Sequence, residues 1–133
     1  MKEKTNICIK RRGFSLVEVL AAVAIIGIIT FLAIPNIVAV KQDSETNMAI
    51  SRAEALNIAM VSYVQANGHE NASDYWGQQV NAQGRYALLS SYLAFAPSNL
   101  FEYMPSGYQI ILPGNLGRIS KVQLDGPNGE IYY

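Results

Sequence analysis

The stretch Arg11-Arg12-Gly13-Phe14-Ser15-Leu16-Val17-Glu18-Val19-Leu20 opens a long apolar run and sets one carboxylate, Glu18, inside it. From Phe14 to Ile34 the only other polar side chains are Ser15 and Thr30. As a helix this run covers roughly 30 Å, enough to cross the hydrocarbon of a bilayer. A carboxylate in such a helix costs on the order of a few kcal/mol at mid-bilayer and less near the interface, so it calls for a partner.

Charge along the chain sets the orientation. Of 10 bases and 10 acids, five bases (Lys2, Lys4, Lys10, Arg11, Arg12) and one acid (Glu3) precede Gly13. The chain beyond is acidic. A basic head before an apolar run predicts a cytoplasmic N-terminus and an exported C-terminal part. An acidic body argues against nucleic-acid binding, which needs clustered positive charge on the folded part. A secretory signal would have a shorter apolar core and a small-residue cleavage site; Ala33-Ile34-Pro35 lacks that pattern. The single cysteine, Cys8, excludes an intramolecular disulfide and precedes the apolar run, where a lipid-anchor cysteine would follow it.

A plain single-pass anchor explains the hydrophobicity and leaves Glu18 without a role. A cut after Gly13 gives it one. Phe14 would then carry a free amine, positive at neutral pH because its reference pKa is about 8. That amine sits one helical turn from Glu18, and the same cut removes the basic head.

Lys10-Arg11-Arg12-Gly13-Phe14-Ser15-Leu16-Val17-Glu18 resembles the prepilin cleavage motif of type IV pilins and type II secretion pseudopilins. The resemblance covers residues 10–36. It implies a leader, residues 1–13, removed by a prepilin peptidase between Gly13 and Phe14, followed by N-methylation of Phe14. It also implies an assembly role for Glu18, and Gly27 and Pro35 stand where that family places helix-weakening residues. Proline deletes a backbone hydrogen bond and glycine adds a second weak point. In filaments of that family this region loses helical structure during packing, so the resemblance implies the same capacity here.

Beyond Pro35, Ala49, Ala53, Leu56, Met60 and Val64 recur at three- to four-residue spacing, with Tyr63 beside them, and predict an amphipathic helix to Gln65 or Ala66. Asn67-Gly68 supplies a left-handed stop. His69 to Asn81 reads as a polar loop, Arg85 to Ala94 as a short helix ended by Pro97. Tyr108–Leu112, Arg118–Leu124 and Glu130–Tyr133 read as three strands. The expected fold is α+β and pilin-like: a long N-terminal helix, transmembrane then amphipathic, packed against a small three-stranded antiparallel sheet. Residues 14–40 form the transmembrane and assembly half, and 41–133 the exported domain.

Other candidate chemistry is sparse. His69, the only histidine, reads as a solvated loop residue, and no Ser, Cys and His spacing suggests a triad. Asp125, Asn128 and Glu130 supply oxygen ligands near a glycine-rich turn. Some major pseudopilins hold calcium in C-terminal loops, so these are the calcium candidates; the same sequence makes a good hairpin turn without metal, and no EF-hand spacing is present. Asn71-Ala72-Ser73 fits a glycosylation sequon. Tyr75, Trp76, Tyr103, Tyr108, Tyr132 and Tyr133 read as core or semi-buried packing before a contact surface.

The expectation is therefore a non-enzymatic filament subunit of the bacterial inner membrane. It needs no cofactor and passes into a periplasmic or surface filament. The short domain without a disulfide loop leans toward a type II secretion pseudopilin; a type IV or competence pilin is the alternative, then a single-pass anchored envelope binding or scaffold protein. The implied partners are the prepilin peptidase, other copies of the chain and related pilins, a membrane assembly platform, and the lipid bilayer.

Overall fold

A computed structural model describes residues 13–133. The expected leader, with Cys8 and the basic residues Lys10, Arg11 and Arg12, lies outside the described residues but for Gly13. Helix α1 runs Leu16–Asn67, unbroken at Pro35. The chain divides into two compact units after Val40, and each is taken by itself.

In the unit beginning at Lys41, the inward face of α1 is Ala49, Ala53, Leu56, Ala59, Met60 and Tyr63. Small residues at 49, 53 and 59 let other segments approach closely, while Leu56 and Met60 fill the centre of the core. Strands β1 (Gln109–Ile111), β2 (Gln123–Gly126) and β3 (Gly129–Ile131) form an antiparallel sheet in that order. Ile110 pairs with Leu124 and Leu124 with Ile131, a single apolar rank across the sheet. Ile110 and Leu124 are buried and Ile131 packs against them at the edge of the core. The sheet is thus the expected one, and the α+β pilin-like architecture holds.

Between helix and sheet the chain departs from the expected outline. The segment from His69 is no loop: His69–Gly77 is helix α2. Gly68 has φ 76° and ψ 152°, a positive φ as expected but not the left-handed helical stop. It turns the chain between two helices instead, and its carbonyl accepts the first bond of α2, from Ala72 N–H at 3.0 Å. Ala72 and Trp76 lie one turn apart and are both fully buried, so the two inward residues decide a helix that the polar residues around them disguise.

Helix α3 starts earlier than the periodicity suggests and runs Ala82–Leu89, because Asn81 caps it by accepting from Gly84 N–H at 2.8 Å. It passes into a 3₁₀ turn, Ser90–Tyr92, well before Pro97. A one-turn helix α4, Leu100–Tyr103, follows, capped by Asn99. Gln83 ties the two together, donating to Ser98 O and accepting from Leu100 N–H, both at 2.8 Å.

Strand β2 is shorter than expected, and the reason is Asn57 of α1. Its Oδ1 accepts the Val122 N–H at 2.8 Å, while the Tyr133 hydroxyl donates to Val122 O at 2.7 Å. Both backbone groups of Val122 are therefore committed to side chains, and the ladder starts one residue later. Lys121 donates to Glu54 at 2.9 Å beside them. That bond, with a second from Asn57, holds the Glu54 carboxyl below its usual value. In the β1–β2 connection, buried Leu116 plugs into the core, and the Trp76 indole donates to the Pro113 carbonyl at 2.8 Å.

Of the aromatic residues, Trp76, Tyr103 and Tyr108 are buried, Tyr133 is half-buried, and Tyr75 and Tyr132 are exposed.

Candidate assembly site at the start of the first helix

The unit ending at Val40 is a different environment. Along α1 from Leu16 to Val40 the large apolar side chains are exposed. The helix is long and apolar enough to cross a membrane. Apolar surface of this extent finds its cover in lipid or in other helices. Within it, Thr30 returns its hydroxyl to Ile26 O at 2.7 Å, which satisfies a polar group that lipid cannot. Pro35 has no N–H, so the Phe31 carbonyl loses its regular helical partner. At Gly27 a Cβ would meet nothing within 4 Å, so among the described residues nothing steric requires glycine there.

The helix start is built from Ser15 and Glu18. Gly13, Phe14 and Ser15 are not helical, and Phe14 is 87% exposed. Ser15 is the N-cap: its carbonyl accepts the first helical bond, from Val19 N–H at 3.2 Å. Its hydroxyl accepts from Val17 N–H at 3.3 Å, and Glu18 Oε2 reaches back to accept from Ser15 N–H at 2.9 Å. This is a variant of the capping box, with Ser at the cap and Glu three residues on, in which the hydroxyl takes the second helical N–H instead of the third. The sequence carries it as Ser15-Leu16-Val17-Glu18, a signal masked by the conspicuous charge of Glu18 in an apolar run. The carboxylate also lies in the first turn, where the helix dipole favours a negative charge.

Gly13, Phe14 and Glu18 are thus gathered at one end of an uncovered apolar helix, with Gly27 and Pro35 along it. The calcium candidates lie elsewhere, on the β2–β3 hairpin. Asp125 stands opposite Glu130 in the register, and Pro127-Asn128 forms the two-residue turn. Gly129 closes that turn at φ 115°, a value that L side chains rarely adopt. Glu130 accepts from the Tyr132 hydroxyl at 2.9 Å. Among the described residues no three His, Cys, Asp or Glu side chains gather as a metal site. His69 opens α2.

The family model for the prokaryotic N-terminal methylation motif matches residues 8–34. Similarity to curated proteins extends much further. The type II secretion system core protein G of Vibrio cholerae is 30% identical over 132 residues, covering 90% of this chain and 85% of that protein. Those of Escherichia coli K12 and Klebsiella pneumoniae are 28% and 26% identical, covering 92% and 90% of this chain and 86% and 87% of theirs. No solved structure gives a significant match. An exposed apolar helix begun by Gly13-Phe14 and Glu18, a three-stranded sheet packed on its amphipathic continuation, and similarity along nine tenths of the chain lead to one conclusion: this chain belongs to the type IV pilin and type II secretion pseudopilin family.

Proposed function

We propose that the chain is a structural, non-enzymatic pseudopilin of a type II secretion system. The precursor sits in the inner membrane with residues 1–13 cytoplasmic and the unit from Lys41 exported. A prepilin peptidase cuts between Gly13 and Phe14 and the new amine is methylated. An assembly platform then passes the subunit into a periplasmic filament with other copies and related pseudopilins. The observation that carries this reading is the position of the methylation-motif match over an apolar helix that nothing among the described residues covers. The names of the relatives aligned along about nine tenths of the chain favour type II secretion over a type IV or competence pilin.

In the filament, Glu18 pairs with the Phe14 amine of a neighbouring copy. Away from water such a pair outweighs the burial cost only with good geometry, so it fixes register as well as stability. Gly27 and Pro35 lower the cost of stretching the helix as subunits pack.

Gly13→Leu tests the processing step. A branched side chain in place of glycine fills the space beside the scissile bond, so the variant stays uncut in cells that cut the parent. Intact mass of the membrane fraction should show a chain that retains residues 1–13, and filaments should be absent. A Gly13→Leu chain that is trimmed and assembled like the parent contradicts the proposed cut.

A further inference from the structure

Between the β2–β3 hairpin and α1 lies an open cleft of about 350 Å³, lined by Asp43 and Glu45 of the helix and by Pro127, Asn128 and Glu130 of the hairpin. Every charged group that lines it is acidic. Lys41 meets Glu45 at 3.7 Å, and Asp43 and Glu130 have no cationic partner among the described residues. The acids here do not close on a point as a metal ion would need. A guanidinium is broader, and its planar fork takes carboxylates from two sides.

One such group on the same unit is unengaged. Lys121 meets Glu54 at 2.9 Å, Arg52 donates to Tyr103 O, and Arg85 lies over the Trp76 ring. Arg118, in the β1–β2 connection, is exposed and has no ion pair among the described residues. Its neighbour Ile119, 45% exposed, lies beside Met60 and Val61 of α1. Arg118 therefore stands about three to four helical turns from Asp43 and Glu45, roughly 20 Å along α1. One copy cannot bring the two together. We propose that Arg118 of one copy docks in the acidic cleft of a second, between Asp43 and Glu130, an inference that rests on the proposed filament. The two halves of this contact are different surfaces, so it is heterologous and repeats from copy to copy without closing. The unit from Lys41 holds more acids than bases. Its copies repel unless a base meets an acid, and this contact selects the stagger at which they pack.

The test uses the full precursor expressed with its peptidase, in a Cys8→Ser background, with the cut read by intact mass. Gly117→Cys and Gln42→Cys together set one thiol beside Arg118 and one in the cleft, and leave the charges in place. A disulfide needs Cα atoms within about 7 Å, so any bridge between these positions joins two copies. Mild oxidation of assembled filaments should give a ladder of dimers, trimers and longer species, while each single variant stays monomeric. Adding Arg118→Glu should lower the ladder yield about tenfold, and adding Asp43→Arg to that should return it to within about threefold. Filaments at parental yield without a ladder, or a dimer from either single variant, overturn this inference alone. Filaments lost on chelation of divalent ions and indifferent to Arg118→Glu assign the cleft to a metal ion and overturn it too. A chain left uncut and unassembled overturns the proposed function, and this contact with it.

Discussion

Glu18→Ala should leave the chain inserted and cut after Gly13 while reducing filament yield more than about a hundredfold. The size reflects one member of a buried pair left alone, which costs on the order of 3–5 kcal/mol. In the variant the orphan is the Phe14 ammonium of the neighbour, which no longer has a carboxylate to accept from it among apolar side chains. Membrane insertion moves the other way, since alanine carries no desolvation cost and the helix becomes more apolar throughout. Loss of the capping contact from Glu18 weakens the first turn as well, by about 1 kcal/mol, too little to account for the whole effect. Shearing or crosslinking of cells expressing the variant measures the yield, and the parental yield would remove Glu18 from the assembly mechanism.

Trp76→Ala should destabilise the unit from Lys41 by about 3–5 kcal/mol, the range for deleting a buried aromatic side chain. Trp76 is fully buried, packs its ring 6.3 Å from that of Tyr63, and has the Arg85 guanidinium 6.0 Å from its ring centroid. Its indole N–H is also what holds the β1–β2 connection, through Pro113 O. Alanine opens a cavity and frees that connection together. Trp76→Phe separates the two effects: it keeps most of the volume and loses the hydrogen bond, so about 1–2 kcal/mol is expected. Thermal unfolding of the detergent-solubilised protein should place the alanine variant more than about 10 °C below the parent, with phenylalanine between them. An alanine variant within a degree or two of the parent would mean that Trp76 does not anchor this core.

The parts of this molecule that depend on periodicity are readable in its sequence. The spacing of Ala49, Ala53, Leu56 and Met60 locates the buried face of α1, and alternating apolar residues bounded by Pro and Gly locate the three strands. Where one long-range contact decides, the sequence is silent. Helix α2 has two inward residues among polar ones, too few for a period, and only Tyr63 and Pro113 reveal that Trp76 belongs inside. Strand β2 reads as longer because nothing local marks Val122 as the residue whose N–H goes to Asn57, 65 positions away.

The site is readable to a similar depth. Gly13, Phe14 and Glu18 stand out because a lone acid in an apolar run demands an explanation. Ser15 does not, since serine before a membrane helix is ordinary until its hydroxyl and amide are seen engaged with Val17 and Glu18. The four residues form one local device, and its two halves carry different kinds of signal: one electrostatic and conspicuous, the other a matter of backbone geometry.

If the proposed function holds, Phe14 begins the working form of the chain. Intact-mass and N-terminal peptide analysis of the protein extracted from membranes that contain the peptidase measures this directly. The expected result is a chain shorter by 13 residues, 120 of the 133, beginning at Phe14 and heavier by one methyl group on its terminal nitrogen. A full-length chain that still carries Arg11, Arg12 and Gly13 would contradict it.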